Sequence, residues 1–295
     1  QAKKTQAKKT QAKKTQAKKT QAKGRASGVA LSTSPCADPY GLGVVLKVLS
    51  EDELARAIAL ALSQQYTAAY RIASGLSVED SPTPGVAAET IIQQRLRTTD
   101  NNGVESKGVR YHRDGLLFQL IAWVASYYDA APSDVVRRPH LISASKGIDA
   151  GIVHLEDGVE LASVSICEDK ATDNPRDTIR DEVWPEFVKA EEGERDDELR
   201  TFAIDAFIQR NRLSEGEAER AAGAIIWSKR RRYRVRITVA TGHKNPPRRG
   251  DLFKGFEEVA RGDKSRRRGE TLYLKNLRPW MDSFAGQVVA HLRAL

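Results

Sequence analysis

The sequence predicts an α/β fold, with α+β as the neighbouring possibility: a mixed central sheet carrying a β-hairpin, flanked by helices on both faces. Three observations predict it. Helical apolar spacing recurs in long stretches before and after residues 149–171,. Residues 149–171 instead read as two extended runs, "DAGIVHLE" and "VELASVSICEDKA", around Asp157-Gly158, a dipeptide that favours a two-residue hairpin turn. Two further β-rich runs, "YRVRITVAT" and "ETLYLKNL", follow with helical text around them.

The chain opens on four copies of "QAKKT" and the start of a fifth. A period of five fits neither helix nor strand, and each copy offers one Ala as apolar surface. Residues 1–35 are therefore expected to be a disordered Lys-rich tail. The first 25 residues hold ten Lys and Arg and no acid, so a formal net charge of +9 leaves −1 for the rest. The basicity belongs to the tail and does not by itself indicate a nucleic-acid partner. The tail reads as an arm that touches phosphates without sequence preference, or as a neutral expansion of repetitive coding sequence.

Residues 36–110 read as an N-terminal helical region. "EDELARAIALALSQQYTAAYRIA" has acids in its first turn, "SPTPG" breaks it, "VAAETIIQQRLRT" is a second helix, and "DNNG" is a turn. Residues 111–245 form the expected core. They comprise a buried helix ("RDGLLFQLIAWVASYYDA"), the hairpin, three helical stretches beginning at Pro175, Asp196 and Ser214, and the strand at 233–241. Residues 246–295 add a helix at 251–261, a strand, and a last helix from Pro279.

Composition narrows the functional classes. At 40% hydrophobic and 6% aromatic, the core is expected to be mostly aliphatic. No apolar run approaches the roughly 20 residues of a membrane span, and the N-terminus lacks an apolar signal region. Two cysteines, Cys36 and Cys167, make no disulfide framework, so a cytoplasmic setting is expected. The five histidines lack metal-ligand spacing, and His154 is expected to pack. Without a phosphate-binding G-x-x-x-x-G-K-[ST] loop, ATP hydrolysis would have to come from a partner.

A two-residue turn at Asp157-Gly158 pairs Val153 with Ala162, Gly151 with Val164, and Asp149 with Ile166. One face then carries Leu155, Val153, Gly151, Ala162, Val164 and Ile166, and ends in Asp149, Glu168 and Lys170. Two carboxylates side by side repel, and partial desolvation raises the cost. A hard divalent cation such as Mg²⁺ resolves the conflict. A lysine beside it can orient a nucleophilic water and stabilise charge developing on phosphorus. The reaction class that fits is metal-assisted phosphodiester hydrolysis. The plainer reading is an ordinary cross-strand ion pair at a strand end.

Asp149 with Glu168-Asp169-Lys170, on two hairpin strands followed by a helix and another strand, resembles the D…(D/E)-x-K signature of the PD-(D/E)XK (restriction-endonuclease-like) nucleases. The likeness covers residues 111–242 and a short motif. It implies Asp149 and Glu168 as ligands of Mg²⁺, with Mn²⁺ able to substitute, a further ligand from the carbonyl of Asp169, and Lys170 as catalytic lysine. An acidic or amide residue from the preceding helix is implied too: Gln119 first, then Asp114, then Glu89. The proline that often precedes the first Asp is replaced by Ile148. "KGIDAGI" and "CEDKA" are also similar to the nuclease subunit of Hachiman-type anti-phage systems. That likeness implies DNA as substrate, with RNA left open, and a helicase or ATPase as partner protein, with the C-terminal helix as its docking element. A second [DE]-x-K, at Glu105 and Lys107, falls in a loop.

Two basic features are expected to accompany such a site. Arg230, Arg232, Arg234 and Arg236 alternate with Tyr233, Val235, Ile237 and Val239; they read equally as a strip along a phosphate backbone or as partners of the acids at 191–198. The loops "GHKNPPRRGDLFKG" and "RGDKSRRRGE" offer Lys244, Arg248 and Arg249 to nucleic acid, or are plain surface turns. The four tryptophans lie in helical stretches and are expected in packing. The rival class is a non-enzymatic nucleic-acid-binding or interaction subunit.

Overall fold

The computed structural model describes residues 28–77, 88–139, 141, 150–156, 160–211, 214–223 and 228–295. They form a seven-stranded mixed sheet with helices on both faces, as the sequence predicts. Strands β1 (Leu31–Cys36) and β2 (Leu42–Val48) come first. Residues 31–35 are thus in a strand, a correction to the expected tail. Of the rest of that tail, residues 28–30 lead into β1 with Ala30 buried, and residues 1–27 lie outside the described residues.

Helix α1 (Glu51–Leu62) starts at Ser50, whose hydroxyl accepts from the Glu53 amide at 3.2 Å, a cap worth about 1 kcal/mol. The expected continuous helix to residue 73 is two: Gln64 takes φ +62°, and α2 (Tyr66–Ala73) restarts after it. A left-handed residue cannot continue a right-handed helix. Helix α3 (Ala88–Ile91) runs into a π-helical turn (Ile92–Leu96). The long α4 (Lys107–Asp129) is capped by Ser106 and buries Leu117, Phe118, Leu120, Ile121 and Trp123.

Next come β3 (Val135–Val136), β4 (Ala150–Glu156) and β5 (Glu160–Lys170). Helix α5 (Pro175–Thr178) passes through a π-helical turn (Ile179–Val183) into α6 (Trp184–Glu191). After α7 (Asp196–Asn211) and α8 (Glu215–Ala222) comes β6 (Arg231–Val239). The expected helix at 251–261 is instead two short ones, α9 (Pro246–Asp251) and α10 (Phe256–Val259), separated by Gly255 at φ +91°. Then follow β7 (Arg267–Tyr273) and α11 (Leu277–Ala294).

The strand order is β1-β2-β7-β6-β5-β4-β3. The central four, β2, β7, β6 and β5, are parallel, while β1, β4 and β3 are antiparallel to their neighbours. One sheet therefore joins the N-terminal strands and β7 to the expected core. Helices α1–α4 and α11 cover one face with Leu46, Leu272 and Met281 in their core. Helices α5–α8 and α10 cover the other over Val164, Ile166, Tyr233, Val235 and Ile237. Strands β5, β6 and β7 are covered on both faces, the usual fate of parallel strands, while β2 leaves Leu42 and Lys47 exposed.

The hairpin register differs from the two-residue turn. Gly151 pairs with Ile166 and Val153 with Val164, and a bulge between His154 and Leu155 leaves Ala162 as the extra residue on β5,. Glu156 pairs with Glu160, which leaves three residues to connect the strands. The slip along the main ladder is two residues, so the predicted faces survive it. Beyond the bulge Leu161, not Ala162, joins the buried stripe.

Candidate active site

Alternation along β5 sends Glu168 and Lys170 to the α5–α8 face and Asp169 to the α4 face. Glu168 is 6% exposed, and its Oε2 lies 3.5 Å from Lys170 Nζ. The π-helical turn after α5 brings Glu182 Oε2 to 3.7 Å from the same ammonium. One turn later in the helix, Glu186 accepts from Arg195 at 2.7 Å. The Arg195 guanidinium is held charged first by that hydrogen bond and then, against its burial, by the fields of Glu186, Glu198 and Glu168. Glu198 in turn accepts from Arg137 at 2.9 Å. Carboxylates and cations thus interleave around the carboxyl end of β5, the end at which open α/β sheets hold their ligands.

Asp169 is committed elsewhere. Its carboxylate accepts from Arg236 Nε at 2.5 Å and Nη2 at 3.2 Å. Arg236 also donates to the Ala122 carbonyl at 2.6 Å and to the Ser126 hydroxyl. Beside this pair, Arg234 reaches Glu270 and Asp129, and Arg268 reaches the same two acids. Arg234 and Arg236 are therefore interior charges of a paired network under α4, a correction to the expected phosphate strip. The cause is position: β6 is a middle strand, so its second face meets a helix. Arg230 donates to the Leu161 and Ala162 carbonyls, and Arg232 is half-buried. The expected pairing with residues 191–198 occurs through Arg231 and Asp196 instead, at 2.7 Å.

Asp149 lies outside the described residues; the last described rung is Ala150 with Cys167. Gln119 is half-buried on α4, the helix that covers the sheet face opposite Glu168. Asp114 is fully buried between Arg113 at 2.7 Å and Arg278 at 2.5 Å, and exposed Glu89 accepts from Arg293 at 2.7 Å. Neither is brought to Glu168. Lys244 and Arg248 are exposed and Arg249 is half-buried. Among the described residues, no group of three His, Cys, Asp or Glu is arranged to hold a metal. Glu168 supplies a hard oxygen donor that suits Mg²⁺, and a second carboxylate would have to come from Asp149.

One constellation has no sequence signal, because its members come from three segments. His154 places Nδ1 2.9 Å from Asp134 Oδ2 and Nε2 2.9 Å from Ser165 Oγ. Burial pushes the Asp134 carboxyl up, but the hydrogen bond and charge of His154 outweigh it and hold it below its ordinary value. Ser165 is 2% exposed, so its hydroxyl has no route to a substrate. The trio ties the segment before β3 to β4 and β5, the packing role expected of His154. No family model, curated protein or solved structure matches the chain.

Proposed function

We propose that the chain is a metal-dependent nuclease hydrolysing phosphodiester bonds of DNA, on a core like that of the PD-(D/E)XK nucleases. The observation that carries the reading is the pair Glu168 and Lys170, 3.5 Å apart on one face at the carboxyl end of β5. The element order supports it: helix α4, three antiparallel strands β3-β4-β5, a helical segment, then β6 parallel to β5. The proposal requires Asp149 to take the rung beyond Ala150 and Cys167, on the side of Glu168.

In this reading Glu168 and Asp149 hold Mg²⁺ or Mn²⁺, with the Asp169 carbonyl as a further donor. The bound cation supplies Lewis-acid charge against the phosphate. Lys170 orients the attacking water and offsets charge developing on the phosphate oxygens. Glu182 and Glu168 hold the Lys170 ammonium in place between them. Anti-phage defence beside a separate helicase or ATPase is the setting that the resemblance suggests.

A second reading has its own observation: Lys170 already lies between two carboxylates, as in an ion-pair cluster of a non-enzymatic binding subunit. Plasmid nicking separates the two. The enzyme reading expects cleavage with Mg²⁺ or Mn²⁺ that is lost in Glu168→Ala and Lys170→Ala and persists without residues 1–25. DNA binding unaffected by both substitutions, with no cleavage under any divalent metal, favours the binding subunit.

A further inference from the structure

The carboxyl ends of the central strands carry a second charged surface. Tyr273 ends β7 and pairs with Val239 at the end of β6. Its hydroxyl lies 3.2 Å from the Thr241 hydroxyl, and the Lys244 ammonium sits 4.1 Å from its ring centre. Its phenol is held below its ordinary value by the Thr241 hydrogen bond first, then by Lys244 and Lys275. Lys244 lies against the ring, and Lys275 lines the adjoining cavity with Val239 and Ala240 at the end of β6. Arg248 follows on α9, close enough to His243 to depress that imidazole after burial has done so. Lys244, Arg248 and Lys275 are exposed, and none makes an ion pair among the described residues. Asp173, which lines one cavity with Lys275, is engaged by Arg278 at 3.0 Å.

This edge continues that of Lys170. Lys170 pairs with Ile237, and the Thr172 amide donates to the Thr238 hydroxyl at 2.9 Å. Tyr273 stands two strands over and two residues further along, so strand spacings put it roughly 12 Å from Lys170. Along a duplex that span is about three to four nucleotides of one strand.

We propose that Lys244 and Lys275 at Tyr273, with Arg248 beside His243, hold the phosphate backbone of the nucleic acid whose scissile bond lies at Glu168 and Lys170. This rests on the nuclease reading for the site it feeds, but its binding step needs no metal. Tyr273 braces Lys244 through its ring, Lys275 opens the turn into α11, and Arg248 extends the track away from the sheet. Lys275 and Tyr273 extend the expected basic loop onto the sheet edge itself.

The test is fluorescence anisotropy with a labelled DNA duplex in EDTA, from 50 to 200 mM salt, on the full chain and on the chain lacking residues 1–25. In Lys244→Ala/Lys275→Ala, affinity at low salt falls several-fold, and the slope of log K against log salt drops by about 2, near 0.9 for each lost phosphate contact. Lys244→Arg/Lys275→Arg restores the slope. Plasmid nicking by the wild type with Mg²⁺ is scored separately, so failure of the cleavage reading and failure of this one are distinct results. An unchanged slope in both chain lengths, with an unchanged melting temperature, overturns the proposal.

Discussion

Asp169 and Arg236 form an ion pair with both side chains shut off from solvent, on the face of β5 that Glu168 does not use. Neighbours in one short motif thus serve different parts of the molecule: residue 168 the candidate site, residue 169 the interior. Removing one partner strands a buried charge. Arg236→Met is expected to cost about 3–5 kcal/mol, while Asp169→Leu/Arg236→Met recovers much of that loss. Denaturant unfolding of the two variants reads the difference.

Glu270 makes the fold sensitive to acid. Burial pushes its carboxyl up, but Arg234, Arg268 and Arg236 together outweigh that and bring it from 4.5 to about 2. A carboxyl with a lowered folded-state value stabilises fully above its unfolded value. Its contribution is therefore complete above pH 4.5 and is lost as pH falls towards 2, on the order of 3 kcal/mol. Unfolding free energies of the wild type and Glu270→Gln, measured over this range, are expected to converge as pH falls. Parallel curves contradict the assignment.

These buried charges also show where the sequence stops being legible. The alternation in "RRYRVRITV" gives the strand and its Tyr233–Val239 apolar face, yet alternating Arg ordinarily reads as a solvated face. Its partners Asp129, Asp169 and Glu270 come from three separate segments, a pairing that no local pattern announces. The same holds for Asp134, His154 and Ser165. Helix α4 was legible from its long apolar run, which starts it at Arg113 and misses the first six residues after the Ser106 cap. Strands β1 and β2 were not, since "SPCADPYGLG" is turn-rich text next to a repetitive tail. The side-sharing of Glu168 and Lys170 followed from alternation alone and survived a misjudged turn, because a slip of two residues keeps every side chain on its face.

Close packing beneath β7 gives a further expectation. A Cβ on Gly269 would stand 2.5 Å from the Phe253 ring, and Phe253 is itself buried in the core of the α5–α8 face. Gly269→Ala is expected to lower stability by about 1–3 kcal/mol through overpacking. Thermal melts of Gly269→Ala and of Gly269→Ala/Phe253→Leu check this, the smaller aliphatic side chain relieving the clash.

The most direct test of the proposed metal site is calorimetric titration of Mn²⁺ into the apoprotein, for wild type, Asp149→Asn and Glu168→Gln, each with its fold confirmed by melting. The account predicts saturable binding in the wild type that is lost or weakened at least tenfold in both variants. Binding of equal strength and stoichiometry in all three, or none in the wild type, contradicts it.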